Sequence, residues 1–338
     1  MVDVCPPEQQ SLASGWAGRF SFAGNICGYI IGSIPLPLSL GDQEAWRYRI
    51  MSFASVLSIM VATVITCNSF HETKSEDKKE AGSIIAHVLR DVIRGVRKMP
   101  PKAWKVCKIQ FVAWMGWFGF LFYSTSYIGG LYVEESIRKG VEASTALQDE
   151  GMRRGTMGSL LFAIMALIAA LVSPTIGKSM DAPNYKRKTG PSSWIQFLRR
   201  IDVFWTCGYV LFAICTFSTI AISSSTVGII VIAVAGFAFG VCNWAPFALM
   251  GEAVAVRPAG LSTSPGEGGK SWETNRRGAM MGIHNAAISL PQIIAAIISS
   301  FIFWAAQRME MKDGVNWVMR ASGIAGAVAA WCTFRAFA

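Results

Sequence analysis

The sequence predicts an all-α membrane protein, a helical bundle with about eight transmembrane helices. Two observations predict this fold class. The 338 residues are 52% hydrophobic and only 15% charged, whereas soluble domains carry about 25% charged residues. Long apolar runs alternate with short segments that hold most of the charge. This pattern excludes a cytosolic globular protein, a disordered chain and a nucleic-acid-binding domain, so the net charge of +10 is interpreted as a topology signal.

Eight stretches are apolar enough to cross a bilayer core, which needs about 20 mostly apolar residues per helix. Pro35 and Pro37 weaken the first stretch as a helix, and Arg320 places a charge in the last one. The other six are stronger candidates. In chain order the stretches lie near Phe20–Leu38, Ile50–Cys67, Ile109–Ile128, Met157–Val172, Val203–Ile222, Val227–Met250, Met280–Ala306 and Trp317–Phe334.

The distribution of basic residues predicts the orientation of these spans. An even number of spans puts both termini on one side, and 22 of the 31 Lys and Arg residues then fall on that side and nine on the other. Cytoplasmic segments carry the excess of Lys and Arg. Both termini are therefore predicted to be cytoplasmic. The bias also supports eight spans, because merging two spans or adding one would move basic segments to the other side and reduce the bias.

The longest polar segment divides the chain into three predicted parts, residues 1–67, 68–103 and 104–338, the last being a six-helix bundle. Residues 71–80 are a solvated run of charges. Residues 84–96 combine apolar and basic side chains at helical spacing, which predicts either a helix on the inner leaflet or a short helix packed under the bundle. Residues 258–269 have the composition of a flexible linker.

Ionisable side chains within spans are candidates for function because they are costly in a bilayer. Glu252 closes the sixth span, after Asn243 and Pro246. Because Pro246 frees a backbone carbonyl, one hypothesis is a substrate or proton contact at a broken helix. The alternative, favoured for Glu252, is a hinge with the carboxylate already at the membrane surface.

The seventh span begins with His284 and Asn285 and continues to Gln292. His284 could titrate near neutral pH, although a single histidine one turn inside a helix is more often a hydrogen-bonded structural residue. Asn285 and Gln292 are seven residues apart and therefore share a face. There they either line a cavity or bond neighbouring helices.

The third span is the most informative, because Gln110, Trp114 and Trp117 share one face at spacings of four and three residues. A sugar ring offers an apolar C–H face and a rim of hydroxyls, so aromatic planes beside amides suit it. The alternative for each aromatic side chain is a packing stripe or an interfacial belt. In the first span, Asn25 is the polar candidate beside a ridge of glycines that predicts close helix packing.

Sequence motifs of hydrolases, zinc sites, redox dithiols and phosphate-binding loops are absent, and the three histidines are too scattered for a metal site. An intramembrane enzyme is therefore disfavoured, and neither a metal nor another cofactor is expected. Cysteines in or beside apolar runs behave as small hydrophobic residues, so no disulfide is predicted. Residues 1–18 lack the basic region and apolar core of a signal peptide.

Several segments in register carry a recognisable pattern: residues 2–32, with Trp-Ala-Gly-Arg at 16–19 and Gly-Asn-Ile-Cys-Gly-Tyr at 24–29, then residues 110–132, 154–159, 243–248 and 282–292. Together they resemble fungal sucrose/maltose-type (α-glucoside) transporters. These belong to the glycoside–pentoside–hexuronide:cation symporter family of the major facilitator superfamily. The resemblance covers essentially the whole chain.

The resemblance implies a major facilitator-type bundle of twelve helices in two halves, of which the eight spans correspond to helices five to twelve. Residues 1–67 are then the last two helices of the N-terminal half, and residues 68–103 the central cytoplasmic loop; the first four helices are lacking. Asp3 matches an acidic residue that follows the fourth helix. Gly130 and Leu131 stand where relatives carry charged residues, which puts proton coupling in doubt, although Glu134 and Glu135 lie one turn beyond.

The implied function is symport of a proton with a disaccharide α-glucoside, sucrose or maltose, by two halves that rock around a midplane site. The alternative is a regulatory or structural membrane protein derived from such a carrier that does not transport. Candidates for contact with the proton are Asp3, Glu252 and His284. Candidates for contact with the sugar are Asn25, Gln110, Trp114, Trp117, Asn243, Asn285 and Gln292.

The expected surroundings of the chain follow from the same resemblance. The partners are the lipid bilayer, the disaccharide and the proton, without nucleic acid, and the plasma membrane is expected rather than the vacuolar membrane. Because the helices of the opposite wall are lacking, these 338 residues alone are predicted not to transport sugar. The chain is then expected to be a fragment of a longer product, or to pair with another copy or with a separate N-terminal half.

Overall fold

The computed structural model describes residues 9–33, 43–69, 93, 95–97, 99–176, 197–255, 267–311 and 314–337. Within these residues the chain forms eight long α-helices and no strands, which confirms the all-α class. Each helix contains most of one predicted span, and all except α1 and α8 are long and apolar enough to cross a membrane. In chain order they are α1 (Gln10–Ser33), α2 (Gln43–Ser69), α3 (Pro101–Arg138), α4 (Thr145–Ile176), α5 (Ile201–Ser218), α6 (Ser225–Ala255), α7 (Glu267–Arg308) and α8 (Gly314–Phe337).

Helix boundaries depart from the predicted spans where a helix continues past its apolar stretch. α1 begins at Gln10, ten residues before the predicted start, because its first turns pack against α4 through Gly15 and Arg19. α7 begins at Glu267, inside the predicted linker, the rest of which lies outside the described residues. Apolar length identifies only the lipid-crossing portion of such helices.

Pro246 lies inside α6, which continues unbroken to Ala255. The hypothesis of a broken helix at this position is therefore wrong. A helix accepts an interior proline when neighbouring helices hold it in place, and α6 is the helix with the largest buried share of its apolar window, 56%. The sixth span is thus a continuous helix, more than half of which is buried among its neighbours.

The helices α3 to α8 form one bundle. The most extensive contacts join α4 to α6, and α8 to both α5 and α3, whereas α7 packs mainly on α3. α1 lies along α4 and α6 on the outside of this bundle, and α2 makes only slight contact with α1. The described part of the chain therefore has a dense group of helices and one helix, α2, almost apart from it.

Aromatic side chains fill the centre of the bundle. Trp117 of α3 stacks on Phe212 of α5 with ring centroids 3.8 Å apart. Phe239 of α6 lies beside Trp117 at 4.8 Å, beside Phe162 of α4 at 5.2 Å and beside Phe22 of α1 at 5.8 Å. This cluster joins five helices, and it includes the contact through which α1 meets α6.

The predicted amphipathic segment at residues 84–96 lies mostly outside the described residues. The described helical turn at 95–97 meets α7, because a Cβ at Gly95 would lie 3.0 Å from the Cδ1 atom of Ile283. This end of the segment therefore packs against the transmembrane helices.

Candidate functional site

A cleft of about 500 Å³ lies where α3 ends and α8 begins, with the last turns of α7 as its third wall. Its polar side chains come from all three helices: Ser126, Tyr127 and Glu134 of α3, Gln307 of α7 and Asn316 of α8. A concave site of roughly 300–1,000 Å³ with a few convergent polar groups is typical of small-molecule binding. The cleft is therefore the candidate functional site.

The Tyr127 hydroxyl is the least accessible polar group of the cleft wall. Tyr127 is 2% exposed, and among the described residues its hydroxyl has no hydrogen-bond partner. The Nε atom of Arg320 in α8 is likewise buried without a hydrogen-bond partner among the described residues. Since buried polar groups are almost always hydrogen-bonded, the Tyr127 hydroxyl is an exception within the cleft wall.

The two neighbouring glutamates at the end of α3 have different surroundings. Glu134 lines the cleft beside Gly130, whose Cβ position would meet no heavy atom within 4 Å. Glu135 instead accepts hydrogen bonds from the backbone N–H and the hydroxyl of Ser225, at 2.9 and 3.1 Å, and pairs with Lys139 at 2.8 Å. Glu135 therefore ties α3 to the start of α6, and Glu134 is the acidic group that faces the cleft.

A line of exposed polar side chains on α7 approaches the same cleft. Asn285, Ser289 and Gln292 are exposed and follow one another at spacings of four and three residues, so they share a face. We call these three residues the α7 track. Phe303, which lines the cleft, follows Asn285 by 18 residues, or five turns at about 3.6 residues per turn. Asn285 and Gln292 thus share a helix face with Phe303, but none of the three α7 track residues lines the cleft itself.

The three candidates on α3 have different degrees of burial. Trp114 is half-buried, with its ring 5.0 Å from Phe118. Gln110 is 1% exposed and accepts a 2.9 Å hydrogen bond from the Tyr209 hydroxyl, and Trp117 is 1% exposed in the aromatic core. The structure therefore places Gln110 and Trp117 inside the bundle, because neighbouring helices enclose that side of α3.

The two candidates on α6, Asn243 and Glu252, lie apart from the cleft. Asn243 is half-buried and donates to the backbone carbonyl of Phe239, at 3.0 Å, in its own helix. The Glu252 carboxylate lies 3.2 Å from the Lys102 ammonium, so it links the end of α6 to the start of α3. Neither residue lines the cleft.

His284 is fully buried, with its ring 4.8 Å from that of Phe247 in an edge-on contact. Neither ring nitrogen has a hydrogen-bond partner among the described residues. The expected hydrogen-bonded role is thus not observed there, and the residue packs as an aromatic side chain between α7 and α6.

Two further candidates lie on the N-terminal side. Asn25 is exposed on α1, and Asp3 lies outside the described residues. Among the described residues, no group of three His, Cys, Asp or Glu side chains is placed to hold a metal ion, and the seven described cysteines are free.

Sequence reasoning missed Tyr127, Ser289, Gln307 and Asn316 as site residues, and it noted Glu134 only as an acidic residue one turn beyond Gly130 and Leu131. A signal existed for two of them. Ser289 follows Asn285 by four residues, and Glu134 follows Gly130 by four, so both pairs share a helix face. No local pattern indicates that Tyr127, Gln307 and Asn316 meet, because they come from three different helices.

Comparison with known proteins identifies membrane transporters as relatives of this chain. The profile described as Major Facilitator Superfamily matches residues 1–264. The chain is 25% identical to the general alpha-glucoside permease of Schizosaccharomyces pombe (strain 972 / ATCC 24843), over 98% of this chain and 68% of the permease.

Plant proteins are also similar to the chain. The identity is 26% with sucrose transport protein SUT5 of Oryza sativa subsp. indica, over 52% of this chain and 34% of that protein. It is 19% with sucrose transport protein SUC4 of Arabidopsis thaliana, over 85% of this chain and 54% of that protein. The chain thus spans about two thirds of the fungal relative and a third to just over half of these plant relatives.

Proposed function

This chain belongs to the Major Facilitator Superfamily, and we propose that it takes part in moving an α-glucoside, sucrose or maltose, across a membrane. It is an integral, multi-pass membrane protein. Its relatives include an alpha-glucoside permease and sucrose transport proteins, which supports this substrate class. The observation that carries the proposal is the α7 track, which shares a helix face with Phe303 of the cleft wall.

The chemistry of these side chains suits a sugar. The amides of Asn285 and Gln292 and the hydroxyl of Ser289 can each donate to and accept from sugar hydroxyls. The half-buried ring of Trp114 offers an aromatic plane for the C–H face of a pyranose. We propose that Asn25 and Asn243 supply further polar contacts from α1 and α6. No covalent step is required, since a carrier binds and releases its substrate unchanged.

We propose further that the sugar moves together with a proton. A protonatable carboxylate beside the substrate couples sugar binding to proton binding. If protonation raises the affinity for the sugar, bound sugar raises the affinity for the proton by the same factor. Glu134 is the carboxylate that lines the cleft, whereas Glu252 pairs with Lys102. The same proposal includes cytoplasmic termini and a location in the plasma membrane. It also includes a division of the chain at residues 68–103, between an N-terminal pair of helices and a six-helix bundle.

Equilibrium binding tests the substrate class. The 338-residue chain in lipid nanodiscs is titrated with maltose, sucrose and, as a stereochemical control, lactose. We expect saturable binding of maltose or sucrose and none of lactose. Asn285→Leu is expected to weaken binding about tenfold by removing the amide that meets the sugar. Asn68→Leu removes an equally exposed amide from α2 and is expected to leave affinity within about twofold.

Two outcomes would contradict the proposal. One is the absence of saturable maltose or sucrose binding in a monodisperse, helical sample. The other is equal weakening by Asn285→Leu and Asn68→Leu. A repeat of the titration at about pH 5.5 tests proton coupling, which predicts tighter sugar binding than at about pH 7.5. Liposomes that hold only this chain test the separate prediction that it does not transport alone, which saturable uptake driven by a pH gradient would refute.

A further inference from the structure

Pro174 interrupts the hydrogen bonding of α4 near its end. Proline has no backbone N–H, so the carbonyl four residues earlier, that of Ala170, loses its helical donor. In a bilayer an unsatisfied carbonyl is costly, and a neighbouring group usually compensates. The donor that approaches this carbonyl comes from another helix, α1.

Arg19 of α1 supplies that donor. Its Nε atom donates to the Ala170 carbonyl at 3.4 Å, and one terminal nitrogen donates to the Leu171 carbonyl at 3.3 Å. The guanidinium also lies over the Trp16 ring, 4.6 Å from its centroid. Backbone carbonyls and an aromatic face thereby stabilise a charged group just before the apolar stretch that begins at Phe20.

The Pro174 ring lies directly on α1 as well. A Cβ at Gly15 would be 2.5 Å from the Cγ atom of Pro174, which only glycine tolerates. The same proline therefore both frees the carbonyl that Arg19 binds and fills the space above Gly15. We call these residues, Gly15, Arg19, Ala170, Leu171 and Pro174, the Arg19 clasp.

We propose that the Arg19 clasp holds α1 on α4 at this end, and that Arg19 is a positioning residue that controls how readily the two helices separate. In the division proposed above, α1 belongs to the N-terminal part and α4 to the six-helix bundle, so the clasp joins the bodies that must move apart during transport. The contact is between helices, so the inference depends on no particular substrate.

Toward the opposite end of α1, Tyr29 approaches Ser159 of α4, whose hydroxyl lies 2.8 Å from that of Thr125. The antiparallel pair α1–α4 therefore has one contact region at the end of α4 and another near its middle. A carrier that opens alternately to the two sides must release one end at a time. The Arg19 clasp acts at the end where α4 stops, and the Tyr29 contact acts near the middle of α4.

The chain offers a matched control for Arg19. Arg199 also donates to two carbonyls of α4, those of Ile176 and Thr175, both at 3.1 Å. It precedes α5 and therefore lies within the six-helix part, so it does not bridge to α1. Removal of Arg199 weakens the end of α4 equally but leaves the clasp in place.

Thiol labelling measures separation of α1 from α4. Ser14 is buried, 7% exposed, next to Gly15, so Ser14→Cys places a thiol under the clasp. Labelling by maleimide in nanodiscs is read peptide by peptide, with buried Cys215 and exposed Cys207 as internal references. We expect Arg19→Gln to speed labelling at position 14 about tenfold, Arg19→Lys to restore part of the protection, and Arg199→Gln to change the rate less than about twofold.

A second variant separates the clasp from general loss of structure. Pro174→Ala restores an N–H that can bond the Ala170 carbonyl, so Arg19→Gln in that background should change labelling less than about threefold. The proposal is overturned if Arg19→Gln retains its full effect there, or if Arg199→Gln matches it. It is also overturned if Cys215 becomes reactive in parallel with position 14, because the effect would then be unfolding.

Discussion

α2 and α6 are almost equally apolar, yet none of the most apolar window of α2 is buried within the described structure, whereas 56% of the corresponding window of α6 is. The two helices also differ in their glycine content. α6 carries Gly228, Gly236 and Gly240, and a Cβ at each would collide with a neighbouring helix. α2 has no glycine and exposes large side chains such as Phe53 and Ile59 along its length.

The polar side chains of α2 are satisfied without any neighbour. The hydroxyls of Ser55, Ser58, Thr63 and Thr66 each donate to the carbonyl four residues earlier in the same helix, at 2.7–2.8 Å. In a bilayer, lipid is as apolar as leucine, so apolarity alone does not bring helices together. Glycines mark the close approach of α6 to its neighbours, whereas a Cβ at Gly24 or Gly28 of α1, where the sequence predicts close packing, would meet no described heavy atom within 4 Å.

The largest expected contrast is between tryptophans of the two regions. Trp117→Ala removes the ring stacked on Phe212 in the core and should cost about 4 kcal/mol of unfolding free energy. Trp46→Ala, at an exposed position of α2, should cost less than about 1 kcal/mol. Unfolding of both variants in mixed micelles titrated with dodecyl sulfate measures the difference. Equal losses would show that α2 has a packing role absent from the described contacts.

Close helix approach gives the next largest effect. A Cβ at Gly240 would lie 2.5 Å from the backbone oxygen of Ala166 in α4. Gly240→Leu must therefore push α6 away from α4 and should cost about 3 kcal/mol of unfolding free energy. Ala62→Leu adds comparable bulk to an exposed position of α2 and should cost less than about 0.5 kcal/mol. Thermal denaturation followed by size-exclusion chromatography compares them. A stable Gly240→Leu protein would refute the close contact.

The smallest contrast concerns hydrogen bonds. Tyr209→Phe removes the 2.9 Å bond to Gln110 and leaves a buried amide oxygen without that donor, so about 1 kcal/mol should be lost. Thr63→Val removes the hydroxyl that donates to a carbonyl within exposed α2. Because no donor is left without a partner, the unfolding free energy should change by less than about 0.5 kcal/mol. The micelle titration used for the tryptophan variants resolves the pair; a larger loss for Thr63→Val would reverse the comparison.

The sequence alone predicted the eight helical segments well and the site only in part. Apolar length located each span, but it missed the first ten residues of α1, whose turns pack on α4 through Gly15 and Arg19. Spacing grouped Asn285 with Gln292 correctly on one face of α7. It also grouped Gln110 with Trp114, although neighbouring helices bury Gln110 and leave Trp114 half-open.

The sequence by itself determined the class of protein, the number of helices and the residues that share a helix face. Helix formation in lipid depends on local hydrogen bonds and on local apolar length, so neighbouring residues suffice to predict it. Only the tertiary structure decided which faces meet. Tyr209 reaches Gln110 across 99 residues of chain, and Arg19 reaches the Ala170 carbonyl across 151. Such contacts depend on how closely distant helices can approach, and that is set by the shapes of both partners together.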